Sequence, residues 1–472
     1  MADLHEQQQH ILVATFPGQG HINPALHLAN RLAHFPTTHV TFSTTISGHR
    51  RMFPSSSSSE LQHNLVTYSP FSDGHDDGIT RSNTSFSDYF SIYNRLGPLN
   101  FSNILHSFAA RGRPVTCIIY TILLPWVADV ASDHGIPCFL YWIQASTVFS
   151  VYQHFLHGYE TLISTHAHDP LFTLPFPNLK PSIQIRDLPS FCIMSPDHPF
   201  YPIFETLKEV FEKLESQIKE SGGSNYKPKV LVNSFAELEP DVDVDEVELV
   251  PVGPVLPFLF EDQLQEEDDG SNLFKADDKG YMQWLDSKEE GSVVYISFGS
   301  FWEFKKEDMD EILKGLKESK RPYLWVVRKD NREKELLEIE GEEGDDQDGN
   351  GMMVEWCSQV RVLAHKAVGC FVTHCGWNST LESLSCGVPM VSVPQWTDQG
   401  MNAKSEVDGN GVVKGEELVR CLELVMGDGE KGVEIRTKAK MWKDEALEAV
   451  SEGGSSDVNL KAFVDGIKKL IK

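Results

Sequence analysis

Along both halves of this 472-residue chain, short apolar runs alternate with segments whose apolar residues fall at helical spacing. No other feature restricts the fold as much. Strands that alternate with helices pair in parallel, and such a sheet needs helices on both faces. His10–Phe16 reads as a buried strand, PGQGHINP as a loop, Ala25–Leu32 as a helix and His39–Ser43 as a second strand. Strands at Cys117–Tyr120, Cys138–Trp142 and Val230–Asn233, with a helix near Trp126–Ser132, continue the pattern. Residues 240–285 break it. They are rich in acid, Pro and Gly, include EDQLQEEDDG, and read as a solvated linker. The pattern then resumes with strands at Ser292–Ser297, Tyr323–Val327, Gly369–Thr373 and Met390–Val393. Helices are expected at Lys306–Leu316, after Gln359 and from Asn378, and a second acidic loop covers 338–351. Two doubly wound halves joined by a linker place a ligand in the cleft between them, beyond the carboxyl ends of the strands.

Composition narrows the partners. With 41 Lys+Arg against 69 Asp+Glu the net charge is −28. Phosphate backbones and anionic membrane surfaces repel such a chain, and no basic patch offsets this, so nucleic acid is not an expected partner. The eight cysteines form no CxxC pair and predict free thiols in a reducing compartment. The N-terminal MADLHEQQQH has no apolar core of a secretory signal. The longest apolar stretch, Cys117–Ala128, contains a Pro and is too short to span a bilayer. Without a signal, the sequons Asn83-Thr-Ser and Asn100-Phe-Ser read as chance matches. The expectation is a large, acidic, cytoplasmic protein with no integral membrane contact.

Two loops carry the chemistry. In Phe16-Pro-Gly-Gln-Gly-His-Ile-Asn-Pro24, Gly18 and Gly20 permit a tight turn from strand to helix. His21 falls at the helix start, whose positive field disfavours imidazolium and keeps the ring able to accept a proton. A general base and a capping or solvent-facing histidine fit this loop equally. The loop is also a near miss to a dinucleotide fingerprint, Gly18-x-Gly20-x-x-Asn23, so a nicotinamide-dependent oxidoreductase is the runner-up. That reading needs an acid at the end of the second strand, where Phe42-Ser-Thr-Thr stands instead. In the second loop a strand ends at Thr373, Gly376 allows a sharp turn, and a helix starts near Asn378. The N–H groups there, with Asn378, Ser379 and His374, form a nest for a diphosphate. Glu382, one turn further on the same face, can accept two ribose hydroxyls. A plain helix cap with a satisfied histidine fits the same residues.

The wider window separates these alternatives. Trp356–Gln399 reads WCSQVRVLAHKAVGCFVTHCGWNSTLESLSCGVPMVSVPQWTDQ. Nearly residue for residue, this resembles the signature box of plant family-1 UDP-sugar glycosyltransferases. FPGQGHINP, RDLPSF at 186–191, NSFAELEP at 233–240, VGP at 252–254, SFGS at 297–300 and SEGGSS at 451–456 resemble further landmarks of that family. The whole is similar to its anthocyanin 5-O-glucosyltransferase-like branch, which includes enzymes that make glucose esters.

The resemblance implies an α/β fold of the GT-B type, two Rossmann-like domains facing across a cleft. It divides the chain into an acceptor-binding domain (1–239), a linker (240–285), a UDP-sugar-binding domain (286–448) and a C-terminal helix (449–472) returning to the first domain. It implies that Trp356 stacks on the uracil, that Cys357 contacts it through its backbone, and that Gln359 and Glu382 bind the ribose. By the same resemblance Ser300, His374, Asn378 and Ser379 hold the diphosphate, and Trp377, Asp398 and Gln399 contact the sugar. A Gln at the last box position is associated with glucose, so UDP-glucose is the expected co-substrate. The other partner is a small-molecule acceptor, and the enzyme is expected to be a monomer with no cofactor and no metal. His21 would take the acceptor's proton. The acceptor oxygen would attack the anomeric carbon opposite the leaving UDP and invert it to a β-glucoside, while His374 and the helix start stabilise the departing diphosphate. Asp241-x-Asp243-x-Asp245 and Asp346-x-Asp348 resemble metal-binding motifs but lie in acidic stretches and read as solvated charge.

Two departures from the family pattern stand out. Many members pair the histidine with an Asp, and the matching position here is Thr121. A hydroxyl stabilises imidazolium less than a carboxylate does, which predicts an acceptor that ionises easily, a carboxylate or an acidified phenol. Asp129 reads as a surface residue. After Met401-Asn-Ala-Lys404 a short helix-and-strand segment is missing, and Ser405–Gly415 leads almost at once into Glu416–Met426. That predicts a weakened C-terminal sheet beside the donor site. A member that binds UDP-sugar without transfer is a third reading, against which His21 and the intact donor constellation argue. The acceptor pocket is expected from Trp142–Ser146, the 186–200 region and the loop around 75–90. Flavonoid hydroxyl, hydroxycinnamate, auxin-like acid and apocarotenoid carboxylate all remain open.

Overall fold

The computed structural model describes all residues except 1–8, 55–59, 80–83, 178, 180–181, 221–225, 257–279, 301–305, 329–349, 407–413 and 471–472. Several expectations from the sequence therefore lie outside the described residues: half of the linker (257–279), the second acidic loop with Asp346 and Asp348, Asn83, and residues 407–413 of the shortened segment. The start of the expected linker is not solvated: a strand at Glu248–Pro251 joins the first sheet, and Val244, Val247, Val252 and Val255 are buried in its core, because the apolar residues between the acids face inward.

The first half builds an eight-stranded sheet from β1 (Gln9–Ala14), β2 (Thr38–Ser43), β3 (Leu61–His63), β4 (Val66–Tyr68), β5 (Cys117–Thr121) and β6 (Cys138–Trp142). A short ribbon of β7 (Thr173–Leu174) and β8 (Ile183–Gln184) follows, and then β9 (Lys229–Val232) and β10 (Glu248–Pro251) complete the sheet. Its order is β10-β9-β6-β5-β1-β2-β4-β3, and only β3 runs antiparallel. The second half has five parallel strands: β11 (Val293–Ser297), β12 (Tyr323–Val326), β13 (Gly351–Val354), β14 (Val368–Thr373) and β15 (Met390–Ser392). Their order is β13-β12-β11-β14-β15. β1, β5 and β11 are buried along their whole length, as strands covered on both faces must be. Alternation along β11 feeds two cores. Val294 and Ile296 pack with Met309, Ile312, Leu418 and Leu422. Val293 and Tyr295 pack with Leu363, Phe371 and Leu384 on the other side.

In each sheet the chain winds to one side of a central strand and then crosses to the other. The switch points are β1/β5 and β11/β14, and the loops that leave these strands form the ligand crevice. Register sets them level: Ala14 pairs with Tyr120, and Ser297 with Thr373.

The two halves are joined by packing as well as by the chain. Trp377, Leu381, Met401, Ala446 and Ala449 belong to the core of the first half. The helix Ser455–Leu470 lies on the first sheet through Leu460, Phe463, Val464 and Ile467. There Asn459 Nδ2 donates to the Pro251 carbonyl at 2.8 Å. Near the shortened segment, the helix Gly415–Met426 docks on Lys306–Ser319 at paired glycines. A Cβ on Gly315 would come within 2.7 Å of the Gly415 carbonyl oxygen, so the helices touch backbone to backbone.

Candidate active site

The first loop is shorter than its sequence suggests. The helix runs Gln19–Ala33, so Gly20, His21 and Pro24 are all helical. Pro24 has no N–H to offer the Gly20 carbonyl four residues back. That freed carbonyl accepts a hydrogen bond from Asn378 Nδ2 of the other half, at 2.9 Å. The second loop thus reaches across the cleft to within one residue of His21.

His21 lies against Phe16, ring centroids 5.3 Å apart. Its Nδ1 is buried without a hydrogen-bond partner. Burial lowers its pKa to about 4, so the ring is neutral at physiological pH and competent to accept a proton. Thr121 does not hold this ring. Its Oγ1 is 3.0 Å from Thr15 Oγ1, and Thr15 Oγ1 donates to the His21 backbone carbonyl at 3.2 Å. Two hydroxyls therefore brace the main chain under His21, which corrects the expectation of a direct partner. Asp129 is on the surface, paired with Lys213 at 2.7 Å. Phe16 continues into a wall of Tyr89, Phe90, Tyr93 and Trp126. Behind it, Tyr89 OH donates to the buried Asp73 Oδ2 at 3.1 Å.

Across the cleft, His374 follows β14 and sits between two glycines. A Cβ on Gly299 or Gly376 would come within 2.8 or 2.5 Å of its Nε2. Gly299 is also left-handed at φ 76°, so glycine is required there twice over. Burial lowers the pKa of His374 to about 4, against a backbone hydrogen bond with Ser297. Ser300 lies beside it, at the end of the SFGS turn, where its carbonyl accepts from Arg328.

The helix Trp377–Cys386 begins at Gly376 and ends on left-handed Gly387. It carries Asn378, Ser379 and Glu382. Gln359 Nε2 donates to Ser379 Oγ (2.8 Å) and Glu382 Oε2 (2.6 Å), and Tyr295 OH donates to Gln359 Oε1 (3.2 Å). Burial pushes the Glu382 carboxyl up to about 7. Trp356 is half-buried at the same end of the sheet. The Cys357 thiol packs on Tyr295 at 3.4 Å and is pushed up to about 12 by burial, so it is inert.

Trp377 departs from expectation. Its indole N–H donates to the Asn233 carbonyl of the first half at 2.7 Å, and its ring is buried. The side chain rivets the two halves, which leaves only its backbone for a sugar. Asp398 and Gln399 are buried at the start of the helix Gln399–Glu406. Burial raises the pKa of Asp398, opposed by hydrogen bonds that include Asn402, Thr397 and Gln144 of the first half.

The sequence reading passed over several residues. Glu239, inside the quoted NSFAELEP, caps the helix Ser146–His154: its carboxylate accepts from Ser146 N, Thr147 N, Thr147 Oγ1 and Ser234 Oγ at 2.6–2.9 Å. Asn233, in the same motif, takes the Trp377 indole. The motif itself was the signal, and its roles required the fold.

Comparison with known proteins agrees with this geometry. The family model described as UDP-glucoronosyl and UDP-glucosyl transferase matches residues 265–448. The chain is 43% identical to the chloroplastic crocetin glucosyltransferase of Gardenia jasminoides, with 98% of each chain covered. It is equally similar, at 43% with the same coverage, to the phloretin 4'-O-glucosyltransferase of Malus domestica. Among solved structures it resembles Os79 from O. sativa in complex with UDP, with a TM-score of 0.78 and 30% identity, covering 97% of this chain and all of that one. Two doubly wound halves facing across a cleft, together with these relatives, define a glycosyltransferase of the GT-B fold. The chain belongs to the plant family-1 UDP-glycosyltransferases, and the nicotinamide reading falls away.

Proposed function

We propose that this enzyme transfers glucose from UDP-glucose to an oxygen of a small, flat, readily ionised acceptor, with inversion at the anomeric carbon. One observation carries the reading: the donor box and the His21 loop meet at facing switch points, joined by the Asn378–Gly20 hydrogen bond. In this reading Trp356 and the backbone of Cys357 hold the uracil, and Gln359 and Glu382 the ribose. Ser300, His374, Asn378 and Ser379 take the diphosphate, with the N–H groups of the helix start. Asp398, Gln399 and the Trp377 backbone take the sugar. These donors cover the leaving charge with no step that needs a metal. The eight cysteines are free thiols, which supports a compartment that keeps them reduced. Among the described residues no helix is long and apolar enough to cross a membrane.

Two features support an acidified phenol as the acceptor. His21 is a weak base with no carboxylate partner on its ring, so it suits a proton that leaves easily. The wall beside it is aromatic and backed by the Asp73 carboxylate, which favours a ring over a second anion. The similar enzymes are named for crocetin and for the 4'-oxygen of phloretin. The test is purified protein with UDP-glucose against a panel of phenols, carboxylic acids and aliphatic alcohols, read by mass spectrometry. Phenols are expected to be glucosylated fastest, and equal rates for aliphatic alcohols would refute the acceptor class.

A further inference from the structure

The RDLPSF segment of the first half grips the sugar end of the donor box. Ser190 N–H donates to the Thr397 carbonyl at 2.9 Å, and Thr397 N–H donates to Ser190 Oγ at 2.8 Å. Thr397 is held at φ 56°, a left-handed conformation that a β-branched residue adopts only when its surroundings impose it. Asp398 and Gln399 follow directly. Thr397 Oγ1 donates to Asp398 Oδ1 at 2.8 Å, and Asn402 Nδ2 donates to Asp398 Oδ2 at 2.7 Å. Gln399 Oε1 accepts the N–H groups of Gln395 (2.9 Å) and Trp396 (3.1 Å). Its oxygen is thereby committed, and the amide N–H₂ is the group it can present to a sugar hydroxyl.

The gripping segment is itself fixed. Asp187 closes a capping box on Gln184 at 2.8 Å, and Phe191 and Phe200 pack on Trp396 with centroids 6.0 and 5.1 Å away. We propose that Ser190 is a positioning residue for the transferred sugar: its hydroxyl holds the strained Thr397 backbone and so sets Asp398 and Gln399. The inference rests on the UDP-glucose reading above. It makes one strut of the acceptor half responsible for donor-sugar geometry. The residues assigned to uridine stand at the start of the box and those assigned to the diphosphate in its middle and in the SFGS turn, and none of them bonds to Ser190 or Thr397.

The test compares wild type, Ser190→Ala, Ser190→Thr and Thr397→Gly for UDP affinity by calorimetry and for kcat/KM with UDP-glucose and UDP-galactose. Ser190→Ala leaves the Ser190 N–H bond to Thr397 in place, so the segment stays docked and the melting temperature should fall by only a few degrees. Its kcat/KM for UDP-glucose should fall about tenfold, the loss of one part-buried hydrogen bond with its partner left unpaired. UDP affinity should stay within about twofold, the preference for glucose over galactose should narrow, and Ser190→Thr should restore both. Thr397→Gly keeps both backbone bonds but frees the dihedral and removes the Thr397 Oγ1 bond to Asp398, so its loss of kcat/KM should be at least that of Ser190→Ala, again with UDP affinity kept. Unchanged kcat/KM in Ser190→Ala, or UDP affinity falling in step with UDP-glucose, would overturn the proposal. A wild-type protein that binds UDP but does not turn over UDP-glucose would overturn the glucose reading, and this proposal with it.

Discussion

His21 and His374 occupy matching places in the two halves. Each follows a central parallel strand at a switch point, and each has its pKa lowered to about 4 by burial. Each also has a buried Nδ1 without a partner. What differs is freedom. His374 is clamped between Gly299 and Gly376, which leaves its ring little room to turn. His21 rests on one aromatic face with its backbone braced by Thr15 and Thr121, and its ring borders the cleft. Equal electrostatics in unequal seats fit the proposed division of labour, a fixed ring for the diphosphate and a freer one for the acceptor's proton.

The comparison can be broken in several ways. Removing the base, His21→Ala, should lower transfer to weakly acidic hydroxyls about 10³-fold, measured as initial rates at saturating UDP-glucose. Transfer to carboxylates, already ionised at pH 7, should fall much less. Gly376→Ala pushes a methyl into the His374 ring and should weaken UDP binding about 10²-fold by calorimetry, with acceptor chemistry affected only through the donor. Glu239→Ala unties the Ser146–His154 helix and should cost about 2 kcal/mol in denaturant unfolding.

Glu382 sharpens the pH argument. Its carboxyl is raised to about 7, and in the proposed reading the ionised form is the stronger acceptor for ribose hydroxyls. KM for UDP-glucose should therefore fall as pH rises through 7, by about tenfold between pH 6 and 8, and Glu382→Gln should flatten that profile. At saturating donor the rate should hold across the same window, because a histidine with a pKa near 4 is already deprotonated. The smallest effect is Cys357→Ser, within about twofold of wild type, since that thiol is inert beside Tyr295.

The strand–helix alternation and the donor box were legible because both are local: period, turn glycines and an ordered run of residues. Helix limits needed more. Pro24 looks like the end of a loop until Asn378 is seen taking the carbonyl that Pro24 leaves free. Trp377 looked like a sugar contact, but its indole serves Asn233, 144 residues earlier in the chain. Thr121 looked like a substitute for an acid, yet it bonds Thr15, on the neighbouring strand's continuation. Glu239 and Ser190 stood inside recognised motifs with no assignable task until their partners came together. In each case the missing information was a contact between distant segments, which no local period encodes.

The most direct measurement is the UDP-glucose dissociation constant of His21→Ala beside that of His374→Ala, with transfer rates measured on the same samples. The account predicts that His21→Ala binds donor within about twofold of wild type and loses transfer to phenols, whereas His374→Ala loses donor affinity. A His21→Ala protein that loses donor affinity in proportion to its rate, or that keeps its rate, would contradict it.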